Sequence, residues 1–152
     1  MKSSQKAINS ACRMLGIREH SEKQLRVKLR NKGFTSEDID LAIKFLFEQD
    51  WLSNERFCEA FIRSRVAKGQ GRKRIEFELQ QNGIGQALIN LTLSELDIDW
   101  QHECSRVLEK KIATTCKEKE VKFEEKIKIE RFMRYKGFEP EQIKSAFASS
   151  SN

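Results

Sequence analysis

At 152 residues with a formal charge of +6, the chain has material for a thin hydrophobic core, since 34% of its residues are charged and 38% hydrophobic. The basic balance, with an isoelectric point near 9.2, favours an anionic partner, either nucleic acid or an acidic protein surface. No run of about 18 apolar residues exists, and Asn9, Ser10 and Arg13 interrupt the start of the chain, which argues against a membrane span or an export leader. A soluble, cytoplasmic monomer is expected.

Helix formers dominate and only one proline and seven glycines interrupt them. In chain order, Ala7, Ile8, Ala11, Cys12 and Leu15 recur at helical spacing and predict a first helix. Ser21 with Gln24 has capping-box spacing and opens a second helix carrying Leu25 and Leu29, which Gly33 ends. Phe34 folds back, and Thr35 with Asp38 starts a third helix bearing Ile39 and Ile43. A boundary follows near Asp50 to Ser53, marked by Trp51.

The same template returns fifty positions later without a gap, as Ile75, Leu79, Gly83, Ile84, Ile89 and Leu93, preceded by a helix carrying Phe57, Ala60, Phe61 and Ser64. A second boundary falls near Leu96 to Asp99, where Asp97 or Asp99 is placed to cap a long helix with Trp100, Cys104, Val107, Leu108 and Ile112. Fifty-four positions after the second copy, Ile129, Met133, Gly137, Phe138, Ile143 and Phe147 fill the template again. The reading is an all-α chain of three tandem three-helix repeats, 1–52, 53–97 and 98–148, forming an elongated, curved array, with 149–152 a disordered tail. A repeat of about fifty residues buries too little surface to stand comfortably alone, so neighbours are expected to pack.

One pattern dissents. Leu25, Val27 and Leu29 alternate with Arg26, Lys28 and Arg30, as do Ile75, Phe77 and Leu79 with charged neighbours, and period two is a strand signature. The glycine stops and the Ser21 cap favour helix, with Val27 and Phe77 widening the buried stripe. Phe45, Phe47, Phe57, Phe61 and Trp51 lie at helical spacing near repeat junctions and read as core rather than as base-stacking platforms. Cys12, Cys58, Cys104 and Cys116 form no C-x-x-C pair, and His20 and His102 supply no zinc spacing, so reduced, mostly buried thiols, no metal and no cofactor are expected. Adjacent acids such as Glu37 with Asp38 sit among Lys and Arg as surface charge, and Gly69-Gln70-Gly71 lacks the remainder of a phosphate loop, so no enzyme is expected.

Charge is concentrated between Arg56 and Arg74, where Arg56, Arg63, Arg65, Lys68, Arg72, Lys73 and Arg74 face the single acid Glu59. Arg72, Lys73 and Arg74 fall at a helix start, where the dipole disfavours cations by about 0.3 to 1 kcal/mol each. Two readings fit: a partner's phosphate or carboxylate docks there, with Gly69 and Gly71 admitting its approach, or the corner is a solvated loop. Arg56 is alternatively an internal ion-pair partner. Lys23, Arg26, Lys28, Arg30 and Lys32 form a second strip, and the basic residues from Lys117 to Lys136 alternate with acids as a solvated face.

The segment from Asn54 to Arg65, followed by Lys68-Gly69-Gln70-Gly71 and by Ile75, Glu78, Leu79 and Gly83, resembles the central repeat of the RecX family. The first repeat, with His20-Ser21 and Lys32-Gly33-Phe34, is similar to that family's first repeat, and the third resembles it more loosely. Ser53 and Asn54, Cys58 and Phe61 depart from the family pattern. The resemblance implies a non-catalytic bacterial regulator that binds the RecA recombinase filament on DNA along its groove and restrains recombination, ATP hydrolysis and co-protease activity. The candidate partner- and DNA-binding residues are Arg63, Arg65, Lys68, Arg72, Lys73 and Arg74, with Arg18, Arg26, Lys28 and Arg30 as a second tier. A helix-turn-helix protein acting directly on duplex DNA is the alternative, although no one helix stands out as a base reader.

Overall fold

The computed structural model of the chain describes residues 2–118 and 120–150, and all regular structure among them is helical. The helices are α1 (Ser3–Ile17), α2 (Glu22–Asn31), α3 (Ser36–Glu48), α4 (Asn54–Ala67), α5 (Arg72–Gln81), α6 (Gln86–Leu96), α7 (Trp100–Thr115), α8 (Phe123–Tyr135) and α9 (Pro140–Ser150). They group as three three-helix repeats. Ser149 and Ser150, assigned to the tail on sequence, belong to α9, while 151–152 lie outside the described residues.

The template glycines work as a helix stop requires. Gly33, Gly83 and Gly137 adopt φ of 93°, 82° and 104°, a left-handed region open to glycine at no Cβ cost. In each case the following residue's N–H reaches back five positions, Phe34 to the Leu29 carbonyl, Ile84 to Leu79 and Phe138 to Met133, at 3.0 to 3.2 Å. The glycine N–H closes the inner bond, to Arg30, Gln80 and Arg134 respectively, at 3.0 Å. This double bond pattern satisfies two otherwise orphaned carbonyls and turns an apolar residue back onto the helix. At the helix starts, Ser21 and Gln24 form a reciprocal capping box, and Thr35 and Asp99 accept from the N–H groups of Asp38 and His102. Asp97 instead takes the positive-φ position of its turn, at 47°.

Two compact units emerge, one comprising Met1–Phe61 with Leu79–Thr92 and the other Ile62–Glu78 with Leu93–Asn152. The core of the first joins Ala11, Leu25, Leu29, Ile39, Ile43, Leu46 and Leu52, and that of the second joins Cys104, Val107, Leu108, Ile129, Met133, Phe138, Ile143 and Ala146. Leu25 and Leu29 are both fully buried, four positions apart as one helical stripe demands. Val27 is 40% and Phe77 60% exposed, so neither widens that stripe: a helix turns them toward solvent. Phe45, Phe47 and Trp51 are also exposed, at 37% to 50%, and only Phe57 of the five junction aromatics is fully in the core, with Phe61 half-buried 5.5 Å from it, centroid to centroid. Cys58 and Cys104 are buried, and burial pushes the Cys104 thiol up to about 11, whereas Cys12 and Cys116 are half-buried.

His20 is buried where α1 meets α2. One ring nitrogen, Nδ1, lies 3.0 Å from the Arg18 carbonyl and the other, Nε2, 3.0 Å from Lys28 Nζ. A carbonyl only accepts and an ammonium only donates, so the ring is held neutral with its proton on Nδ1. Burial, reinforced by the Arg18 and Lys28 charges, holds its pKa below the ordinary 6.5. The unfolded chain therefore takes up a proton near pH 6.5 that the folded chain refuses, and stability is lost as pH falls through 6.5 while staying level above it. Urea midpoints taken between roughly pH 7 and 5.5, above the carboxylate range, will show this slope, and His20→Gln will flatten it. An unchanged slope in the variant would place its origin elsewhere.

Candidate binding surface

Arg72, Lys73 and Arg74 open α5, and the structure explains why cations stand there. The Gly71 N–H donates to the Lys136 carbonyl at 2.7 Å and the Lys73 N–H to the Gly137 carbonyl at 3.3 Å. The positive end of the α5 dipole thus meets the carbonyl end of α8. The close backbone approach expected of an outside anion at Gly69-Gln70-Gly71 is made by the chain itself: a Cβ on Gly71 would sit 2.5 Å from the Gly137 carbonyl carbon. The charges are offset by acids, Arg72 Nε lying 2.9 Å from Glu76, Lys73 Nζ 3.2 Å from Glu139 and Arg74 Nε 3.1 Å from Glu78. The Arg74 guanidinium also lies over the Tyr135 ring at 4.6 Å.

A related joint occurs in the other unit, where the start of α2 sits on the carbonyl end of α5. Lys23 Nζ donates to the Gln81 carbonyl at 2.9 Å and Gln24 Nε2 to Asn82 Oδ1 at 2.9 Å. A Cβ on Gly83 would come within 2.9 Å of Lys23 Cβ. Ser21 and Gly71 occupy the same template position, and glycine stands where backbone rather than side chains closes the joint.

The other first-tier residues lie along α4 and its end. Arg63 is exposed, and Arg65 Nε approaches Glu78 at 3.6 Å. Lys68 is exposed while its carbonyl accepts from Lys136 Nζ at 3.3 Å. Arg56 is an internal partner: it reaches Glu19 at 3.1 Å and Asp50 at 3.0 Å and donates to the Asp50 carbonyl, bracing a turn whose φ is 58°. In the second tier, Arg26 is paired with Glu22 at 3.0 Å and Asp40 at 2.6 Å, and Arg18 donates to the Glu19 carbonyl. Arg30 is exposed, and the pKa of Lys28, against His20, is lowered by burial and by the Arg18 and Lys32 charges.

Sequence reasoning passed over Arg106 and Lys136. Arg106 donates to the Val66 carbonyl at 3.0 Å, so with Lys136 it brings positive charge to the carbonyl end of α4. The sequence places Lys136 in a solvated basic run, yet it is half-buried, and desolvation, with the Arg74 charge and against that of Glu78, lowers its pKa. The available signal was its place just before Gly137, which the template shares with Lys32 before Gly33. Among the described residues no group of three His, Cys, Asp or Glu side chains is placed to hold a metal ion, and no helix is long and apolar enough to cross a membrane.

The architecture first defines the class: a helical-repeat protein of three consecutive three-helix domains. Residues 7–46, 53–93 and 99–147 match, in order, the family models described as RecX first, second and third three-helix domains. The chain belongs to the RecX family of regulatory proteins. It is 38% identical over 138 residues to the regulatory protein RecX of Pasteurella multocida, covering 90% of this chain and 83% of that one. The regulatory protein RecX of Cronobacter sakazakii is 33% identical over 150 residues, covering 92% and 89%. The crystal structure of RecX from Lactobacillus salivarius shares the fold with a TM-score of 0.78 over 98% of this chain and 97% of that one, at 20% identity.

Proposed function

We propose that this chain is a cytoplasmic protein that binds the RecA recombinase filament assembled on DNA, seats along its groove and restrains strand exchange, ATP hydrolysis and co-protease activity. The observation that carries the reading is the match of all three repeats, in order, to RecX three-helix domains. The exposed cations Arg63, Lys68, Arg72 and Lys73 support it, since even with Glu76 beside Arg72 and Glu139 beside Lys73 they present donors to acidic protein surface and to DNA phosphate. DNA contact of this kind is largely independent of base sequence.

The test is a titration of the chain into RecA filaments on single-stranded DNA, following ATP hydrolysis. Inhibition is expected, and Arg72→Gln with Lys73→Gln should weaken it roughly tenfold, an effect that grows as salt is lowered. Neutral glutamine is preferable to glutamate because Lys73 faces Glu139 and a reversed charge there would strain the α5 joint. No inhibition by the parent chain, or a strong preference for one naked duplex sequence over the filament, would overturn the proposal.

A further inference from the structure

In the unit formed by Ile62–Glu78 and Leu93–Asn152, a cavity of about 260 Å³ opens at the carbonyl end of α4, beside α7 and the end of α8. Five cations line it, Lys68, Arg106, Lys110, Lys111 and Lys136, and among the described residues no acid does. We infer that this cavity is a subsite for a backbone phosphodiester of a nucleic-acid strand, an inference that rests on DNA forming part of the target proposed above.

The ammonium groups are positioned by groups that only partly offset their charge. Lys111 Nζ lies 4.2 Å and Lys136 Nζ 5.9 Å from the centroid of the Phe132 ring, and the α4 carbonyls of Lys68 and Val66 hold Lys136 and Arg106. A ring quadrupole and peptide dipoles carry fractions of a charge, so the cavity keeps a positive field. Among the described residues Arg106 is the one cavity cation in an ion pair, with Glu103 at 2.9 Å, and Glu78 acts on Lys136 from further off; both acids stand outside the cavity lining.

Size and donor type select the ligand. The volume falls below the roughly 300 to 1,000 Å³ usual for small-molecule pockets, which suits a charged group on a longer chain. Four of the five cations are lysines, point charges that meet a phosphodiester oxygen from any side without needing the fixed geometry of a guanidinium fork. The one guanidinium among the described lining residues, that of Arg106, is held by Glu103 and the Val66 carbonyl.

The feature recurs. In the first repeat a larger cavity, of about 570 Å³, at the corresponding place is lined by Lys6, Asn9, Ser10, Arg13, Lys32 and Phe34, again without an acid among the described residues, so charge rather than volume is what the two share. Burial of Ala7, Ser10 and Ala11 on α1 repeats that of Cys104, Val107 and Leu108 on α7, which puts Arg13 and Lys110 at one helix position, just as Lys32 and Lys136 share one template position. Lys32 Nζ is held by Ser10 Oγ at 3.0 Å. Two divergent repeats that keep an acid-free, cation-lined cavity in one place point to a shared anionic ligand.

The experiment measures binding of a fluorescent single-stranded oligothymidylate across salt concentrations for the parent, for Lys68→Gln with Lys110→Gln, and for Lys128→Gln as an exposed control on α8, with helicity checked by circular dichroism. The cavity variant should bind about three- to tenfold more weakly, and its slope of log affinity against log salt should fall by about 0.7 to 1, the share of one phosphate contact, while the control keeps the parent slope. An unchanged slope in the cavity variant, or an equal fall in the control, would overturn the subsite while leaving filament inhibition by the parent, and with it the proposed function, intact. Weaker binding of poly-glutamate with oligothymidylate unaffected would also overturn it, by making the ligand a carboxylate. A parent chain that binds no oligothymidylate would remove the subsite and the DNA share of the function together, and the ATPase titration would still decide the rest.

Discussion

Gly71→Ala is expected to destabilise the unit containing α5 and α8 far more than any other glycine-to-alanine change of ordinary backbone angle. The new Cβ would meet the Gly137 carbonyl carbon at 2.5 Å, its oxygen at 2.6 Å and the Phe138 nitrogen at 2.7 Å, all backbone atoms with no rotamer to yield. Relief requires α5 to back away from α8, which breaks the Gly71 to Lys136 and Lys73 to Gly137 hydrogen bonds. Overpacking costs about 1 to 3 kcal/mol and each lost bond about 1 kcal/mol more, so a loss of about 3 to 5 kcal/mol is expected. Gly16→Ala is the comparison, since Gly16 lies within α1 with nothing inside 4 Å of an added Cβ and should gain stability by about 0.5 to 1 kcal/mol. Urea denaturation of the two variants beside the parent decides the matter: equal midpoints for Gly71→Ala and the parent would mean that the joint is not closed in solution.

The same joint shows what a sequence carries and what it conceals. Gly33, Gly83 and Gly137 were legible because a helix stop is local: the left-handed residue, the residue folding back and the next cap lie within a few positions. Ser21 was legible for the same reason, and Asp99 as one of two candidates with Asp97. The unusual cations at the start of α5 were also legible as an anomaly, but the cause lies in the carbonyls of Lys136 and Gly137, which no pattern near Arg72 announces. Phe45 and Phe47 are exposed because apolar spacing marks a stripe without stating how wide it is, and they fall at its margin, whereas Trp51 lies in the turn after α3.

For the candidate site, the consequence is that a cation's surroundings matter more than its place in a basic run. Arg56, Arg65, Arg72, Lys73 and Arg74 have carboxylates within 3.6 Å, so their replacement disturbs local structure as well as binding. Lys68 and Lys110 border a cavity whose described lining holds no acid, and their neutralisation is the cleaner probe of binding. Lys136, which lines that cavity, also closes the α5 joint through its carbonyl, so the binding feature and the structural one share a residue.

Leu29→Ala and Val27→Ala together test the one place where period two competed with the helical reading. A strand would put Leu25, Val27 and Leu29 on one face, and truncation at Val27 and at Leu29 would then cost comparable amounts. In α2 they part: Leu29 is fully buried against a core that includes Leu25, Ile39, Ile43 and Leu46, whereas Val27 is 40% exposed. Leu29→Ala should therefore cost about 2 to 5 kcal/mol, the transfer of the lost methyl groups plus the cavity they leave. Val27→Ala should stay within about 0.5 kcal/mol of the parent, since alanine's better helix propensity offsets the little surface it exposes. Phe77, at 60% exposure beside fully buried Leu79, should repeat the contrast in α5. Losses of equal size at Val27 and Leu29 would overturn the helical assignment, and with it the placement of Arg26, Lys28 and Arg30 around the surface of α2.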